Sequence, residues 1–290
     1  MKLRIQAVFI GSIVVLSVVW IISAFFHSVQ APIEDVPKTV DSNLQADTNM
    51  DEEDPLKNEF SHIVYYDKQN LTRYKTYQKG NPALSIEDII THVNMGIDAP
   101  FYSKDPIIIE NPDRIDVLVN KIYKLPESWK PSDLVAVESG GQQMRSEAAQ
   151  AFQLLKEDCK VAGFNIIAHS AYRSTKSQKH FYDNMLAING EEYTDKYMAR
   201  PGHSEHTTGL AADISINGAH YTKIENSEHY PTFYALLENH GFIVRYPQGK
   251  EHLTGYAYEA WHIRYIGKDL AKQVNALGIT YDEYVARKGE

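Results

Sequence analysis

The chain has 290 residues, a formal net charge of −9 and one cysteine. That length allows one or two domains. The acidic balance argues against nucleic acid as a partner, and a single thiol rules out an internal disulfide. Any folded part must therefore hold together through its own apolar core.

In chain order, the first feature is an apolar run over 5–26 that contains no charged residue. At about 1.5 Å per residue, a helix of that length crosses a hydrocarbon core of about 30 Å. Lys2 and Arg4 precede the run and acidic residues follow it, which predicts a cytoplasmic N-terminus and an extracytoplasmic remainder. Val29-Gln-Ala31 would serve as a cleavage site, but a secretory signal has a shorter apolar region of about 7–15 residues. The length favours a transmembrane signal-anchor over 1–30.

Residues 31–59 are poor in aromatics and rich in acid, densest at Asp51-Glu-Glu-Asp54. They offer too little apolar surface to offset the entropy of ordering, so a solvated acidic linker is expected. Residues 60–104 mix a short β-rich piece, His62-Ile-Val-Tyr-Tyr66, with a helix over 86–94 capped by Ser85. This stretch is read as an addition packed on the main domain, 105–290.

The main domain patterns as α+β. Ile107-Ile-Ile109 and Val117-Leu-Val119 are short β-branched runs. A helix is predicted over 143–162 with the apolar stripe Ala148, Phe152, Leu155, Cys159 and Ala162, stopped by Gly163. On that stripe Cys159 reads as a small buried hydrophobe. There follow a strand over 164–168, a helix over 174–188, a strand over 210–214, a helix over 234–240 ended by Gly241, and strands over 242–246 and 261–265. A last helix covers 268–277, before Gly278. Helices and strands do not alternate strictly, which predicts a mixed or antiparallel central sheet with packed helices rather than a doubly wound one.

Chemistry concentrates in two places: Pro201-Gly-His-Ser-Glu-His-Thr-Thr-Gly-Leu-Ala-Ala-Asp213 and Glu259-Ala-Trp-His262. His206, Asp213 and His262 form a candidate zinc triad, two imidazoles and a carboxylate that leave a fourth position for water. Glu259 is the candidate base, placed on the loop entering the last strand. Period-2 alternation puts His262 and Arg264 on one face of that strand, away from Trp261, Ile263 and Tyr265. Gly209 permits the turn that brings His206 and Asp213 to one point. The other histidines, His203 among them, read as structural or surface residues, and the helical H-E-x-x-H pattern is absent.

Ser204-x-His206-x-x-Gly209-x-Ala211-x-Asp213, followed by Glu259-x-Trp261-His262, resembles the zinc signature of VanY-type D-alanyl-D-alanine carboxypeptidases. The likeness extends to Ser170-Ala-Tyr-Arg-Ser174 with Gln178, and in all covers about 105–278. It implies a hedgehog/D-Ala-D-Ala-peptidase fold, bound Zn²⁺, and peptidoglycan stem peptides as substrate at a bacterial cell membrane. By the family pattern His206, Asp213 and His262 would bind zinc and Glu259 would be the general base. Arg173 would stabilise the oxyanion or hold the substrate carboxylate. Gln178 and Ser204 would help hold that carboxylate, and Tyr246, Tyr256 and Trp261 would line the pocket. The expected activity is D,D-carboxypeptidase removal of a terminal D-alanine. The rivals are an L,D-carboxypeptidase acting on tetrapeptide stems, a cross-bridge endopeptidase, and a non-catalytic wall-binding module, against which an intact Glu259 argues.

Overall fold

A computed structural model describes residues 58–288. The expected signal-anchor and almost all of the acidic linker lie outside the described residues. Among those described, no helix is long and apolar enough to cross a membrane.

The elements run, in order, α1 (Leu71–Gly80), α2 (Ile86–Met95), β1 (Ile107–Ile108), β2 (Tyr123–Lys124), β3 (Leu134–Ala136), β4 (Gln143–Arg145) and α3 (Ser146–Val161). Then come β5 (Ile166–Ser170), α4 (Thr175–Asn189), α5 (Glu191–Tyr197), β6 (Ala211–Ile216), α6 (Tyr230–Leu237) and β7 (Phe242–Tyr246). The chain continues through α7 (Glu251–Thr254), β8 (Glu259–Tyr265), α8 (Lys268–Leu277) and α9 (Tyr281–Lys288). The architecture is α+β, small sheets with packed helices. The central sheet is four-stranded, in the order β5-β6-β8-β7, and every neighbouring pair in it is antiparallel.

The sheet is held by α3. Its stripe of Ala148, Phe152, Leu155 and Cys159 packs into one core with Ile166, Ile214, Phe242 and Ile263. Phe152 meets the Phe242 ring edge-on, with centroids 6.4 Å apart. Burial pushes the Cys159 thiol up to about 12, which makes it an inert core atom rather than a nucleophile. Ala162 lies beyond the helix end and is exposed, so the stripe stops one turn earlier than the periodicity predicts. The start also differs: Gln143–Arg145 pair with Leu134–Ala136 as a β-ribbon before the helix begins.

Four further expectations are corrected. His62–Tyr66 is a run of turns, not a strand; Ile63 and Tyr66 bond back to the carbonyls three residues before them. This turns Phe60 and Ile63 onto a small separate core with Tyr74, Ile89, Ile90 and Val93. Residues 117–119 form no strand, and the Val117 carbonyl accepts from Arg264 at 2.6 Å. The helix expected over 234–240 begins at Tyr230, with a proline in its first turn, and closes as a tight turn before Gly241. Finally, α8 is not the last helix. Thr280 and Glu283 cap α9 reciprocally, each side chain accepting from the other's backbone N–H.

Candidate metal centre and its cleft

Asp213 and His262 are direct partners across the antiparallel β6–β8 ladder, so two residues far apart in sequence present their side chains side by side. His206 comes from the tight turn Glu205–Thr208 just before β6, and Gly209 ends that turn at φ +69°. A Cβ at Gly209 would lie 2.9 Å from the Leu134 side chain, so both conformation and space require glycine there.

His206 Nε2 is 3.3 Å from Asp213 Oδ2, and His262 Nδ1 is 3.2 Å from Asp213 Oδ1. One ligand atom from each of the three residues lies within 4.8 Å of the others, and all three residues are buried. The imidazoles stand edge to face at 4.9 Å. Each ring is oriented by the bond its other nitrogen makes: His206 Nδ1 donates to the Ala171 carbonyl at 2.8 Å, and His262 Nε2 faces Glu205 Oε2 at 3.3 Å. The free nitrogens therefore turn towards Asp213, leaving a convergent N, N, O donor set of a kind that suits a divalent transition metal.

Glu259 does not sit on an entry loop. It opens β8, opposite Tyr246. In a regular strand a three-residue separation would place Glu259 and His262 on opposite faces. A shift in the β7–β8 register between Val244 and Tyr246 removes that conflict, as irregularities do when they re-aim a side chain. Glu259 Oε2 comes within 3.7 Å of His262 Nδ1, with 13% of its side chain still accessible.

The electrostatics divide the acids into two kinds. Burial lifts the Glu259 carboxyl to about 8; Asp213 and Glu205 push the same way, against His262 and Arg173. Burial would also raise Asp213, yet His206 and His262 hold it well below the usual carboxylate range. Burial disfavours charge on His262, but Asp213 and Glu205 outweigh it and lift the imidazole to about 9. One carboxyl thus stays ionised while a neighbour keeps its proton near neutrality. That is the pattern of a ligand next to an acid–base group.

An open cleft of about 580 Å³ leads to Asp213, walled by Gln142, His169, Ser170, Arg173, Phe181 and Tyr221, among others. The Arg173 guanidinium donates to Gln178 Oε1 at 3.0 Å and Ser170 Oγ at 2.9 Å, and lies over the Phe181 ring at 5.1 Å. The Gln178 amide is committed at both ends, because its nitrogen also donates to the Ala199 carbonyl at 2.7 Å. Ser204 is buried just before the His206 turn. Tyr246 and Tyr256 are buried side by side behind the donor set, Tyr246 with its ring 5.0 Å from that of His262. Trp261 meets the cleft residue Tyr221 edge-on at 5.6 Å. His203 is a packed residue, bonded to the Asn120 carbonyl at 2.8 Å and edge-on to Tyr102.

Sequence reasoning passed over Glu205, which is completely buried and bonded to His262, Arg245 and Arg264. Its one sequence signal is an acidic residue beside a candidate ligand in a stretch with no other charge from Pro201 to Ala212.

Comparison with known proteins places the fold and sequence in a family. The family model for VanY, D-alanyl-D-alanine carboxypeptidase, matches residues 141–268. YodJ of Bacillus subtilis (strain 168) is 40% identical over 187 residues, 61% of this chain and 68% of that one. The solved structure of LdcB, an LD-carboxypeptidase, superposes with a TM-score of 0.60 at 38% identity, covering 65% of this chain and 94% of that one. A variant of the vancomycin-resistance D,D-pentapeptidase VanY, solved in complex with Zn(II), gives a TM-score of 0.52 at 29% identity and covers 59% and 98% of the two chains. By its sequence, its fold and the residues it gathers around the cleft, this chain belongs to the VanY family of D-alanyl-D-alanine carboxypeptidases.

Proposed function

We propose that the protein is a zinc-dependent D,D-carboxypeptidase that removes the terminal D-alanine from peptidoglycan stem peptides. One observation carries this reading. Two oriented imidazoles and the Asp213 carboxylate converge beside a carboxyl group of raised pKa, at the foot of an open cleft that Arg173 helps to wall. The residues fit zinc: both donor nitrogens are the ones left free by their second hydrogen bonds. His206, Asp213 and His262 would hold the ion. When bound, zinc supplies a Lewis acid and a water acidified to about pKa 7.

The chain's own residues do the rest. Glu259, whose carboxyl lies 3.7 Å from His262 Nδ1 at the edge of the donor set, accepts the proton of the attacking water and returns it to the leaving amine. Arg173, fixed in plane by Ser170 and Gln178, offers its remaining N–H groups to the carbonyl oxygen or to the free C-terminal carboxylate. With both ends of its amide occupied, Gln178 acts by aligning Arg173. The tyrosines behind His262 exclude water from the ligand side of the site and brace the imidazole.

The likeness to an LD-carboxypeptidase supports a second reading, cleavage of D-alanine from a tetrapeptide stem with the same machinery. Mass spectrometry of pentapeptide and tetrapeptide stems after incubation with the purified protein separates the two. Loss of a single D-alanine from the pentapeptide is expected, with no cleavage once its C-terminus is amidated. Processing of the tetrapeptide alone would establish the L,D reading, and equal cleavage of the amidated peptide would point to an endopeptidase.

We also place this activity outside the cytoplasmic membrane, anchored by the charge-free run over 5–26 behind Lys2 and Arg4. Full-length protein should sediment with membranes, and protease added to wall-stripped cells should remove the domain. A mature form starting near Pro32 would replace the anchor with a cleaved signal.

A further inference from the structure

Behind the donor set lies a chain of buried charges that reaches the C-terminal helix. Glu205 Oε1 accepts from Arg245 Nε at 2.8 Å and from Arg264 Nη1 at 2.7 Å. Arg245 also grips Asp282 of α9 through Nη1 at 2.5 Å and Nη2 at 3.1 Å, and Asp282 Oδ1 accepts from Asn120 Nδ2 at 2.8 Å. Arg264 spends its other donors on the carbonyls of Ile115, Val117 and Tyr265. Arg245, Arg264, Glu205 and Asp282 all have 3% or less of their surface exposed. Two buried cations and two buried anions therefore balance.

This arrangement fixes a proton. With Oε1 taken by two guanidinium donors, Oε2 is the oxygen left to face His262, and an ionised carboxylate can only accept. His262 must then carry a hydrogen on Nε2, which leaves Nδ1, the nitrogen beside Asp213, as the one that gives up its proton to a metal. We propose that Glu205 is a positioning residue that sets the tautomer of His262, and that Arg245 and Asp282 hold Glu205 in place, so that metal affinity depends on α9. The proposal rests on the zinc reading above. It gives Asn120 and Asp282 a role in the centre although both lie outside residues 141–268, the stretch that matches the family model.

Glu205→Gln is the sharpest test. The amide oxygen would go to the two guanidiniums, leaving the NH₂ group to face Nε2. The imidazole would then accept at Nε2 and protonate Nδ1, the nitrogen the metal needs. Zinc affinity of the full-length protein, read by chelator competition, should fall about 10–100-fold. The visible spectrum of the Co(II)-substituted protein should shift as well. A residue with only a structural role would lower the melting temperature of the zinc-free protein and leave both readouts alone. Asp282→Asn touches neither His262 nor Glu205, and should weaken zinc at least threefold by loosening Arg245. It decides the matter by itself if Glu205→Gln does not fold. His262→Ala is the control for the underlying reading: undiminished zinc in that variant would sink the metal site itself. If His262→Ala loses zinc while folded Glu205→Gln and Asp282→Asn keep the parent affinity, the positioning role alone is overturned.

Discussion

Glu259→Ala is expected to retain zinc and fold while losing about 10²–10⁴-fold in turnover, the usual contribution of general-base help. The Glu259 side chain stays partly accessible, so its removal leaves a small gap at the cleft rather than in the core. Steady-state kcat on the pentapeptide, measured beside the zinc content, checks this. A near-normal kcat would show that another group takes the proton. The same replacement has a second signature in the zinc-free protein. A carboxyl raised to about 8 in the folded state, against an ordinary value of 4.5, binds its proton more tightly folded than unfolded. It therefore lowers stability progressively as pH rises from about 4.5 to about 8, and alanine should remove that slope.

Arg173→Lys should cost about 100-fold in kcat/KM, comparable to deleting one well-placed donor to a developing oxyanion. Charge is not the issue, since lysine keeps it. The guanidinium is held by two hydrogen bonds in one plane and rests on the Phe181 ring. An ammonium has no planar fork with which to reproduce those bonds and still present donors to substrate. The loss should fall mainly on KM if Arg173 reads the carboxylate, and on kcat if it serves only the oxyanion. A change below threefold would remove Arg173 from the chemistry.

The convergence of His206, Asp213 and His262 was legible because they sit in two short runs of unusual composition, and because each has a chemistry that few other residue types share. The α3 stripe and the Ser85 cap were legible for a similar reason, since local periodicity and capping act within a few residues. What escaped was long-range. Glu205 gains its meaning only from Arg245, Arg264 and Asp282, which arrive from β7, β8 and α9. The failed strand at His62–Tyr66 has β-forming residues, but it has no partner strand and a nearby pair of helices to pack on. The position of Glu259 was misjudged because strand periodicity assumes an unbroken register, and the β7–β8 ladder shifts just there. Thr280-x-x-Glu283 is itself a local start signal for α9.

The pairing of Asp213 with His262 across one ladder sets how this enzyme can diverge. The connection around α6 can lengthen, shorten or exchange its content, because Arg245 and Tyr246, which support Glu205 and His262 from between the two paired strands, come after it on β7. A single residue inserted within β6 or β8 is another matter. Side chains alternate from face to face along a strand, so such an insertion would turn one donor to the opposite side of the sheet. Lineages should therefore accumulate length differences in the connection around α6 while the two paired segments keep a fixed count, and circular permutants opened within that connection should retain the donor set.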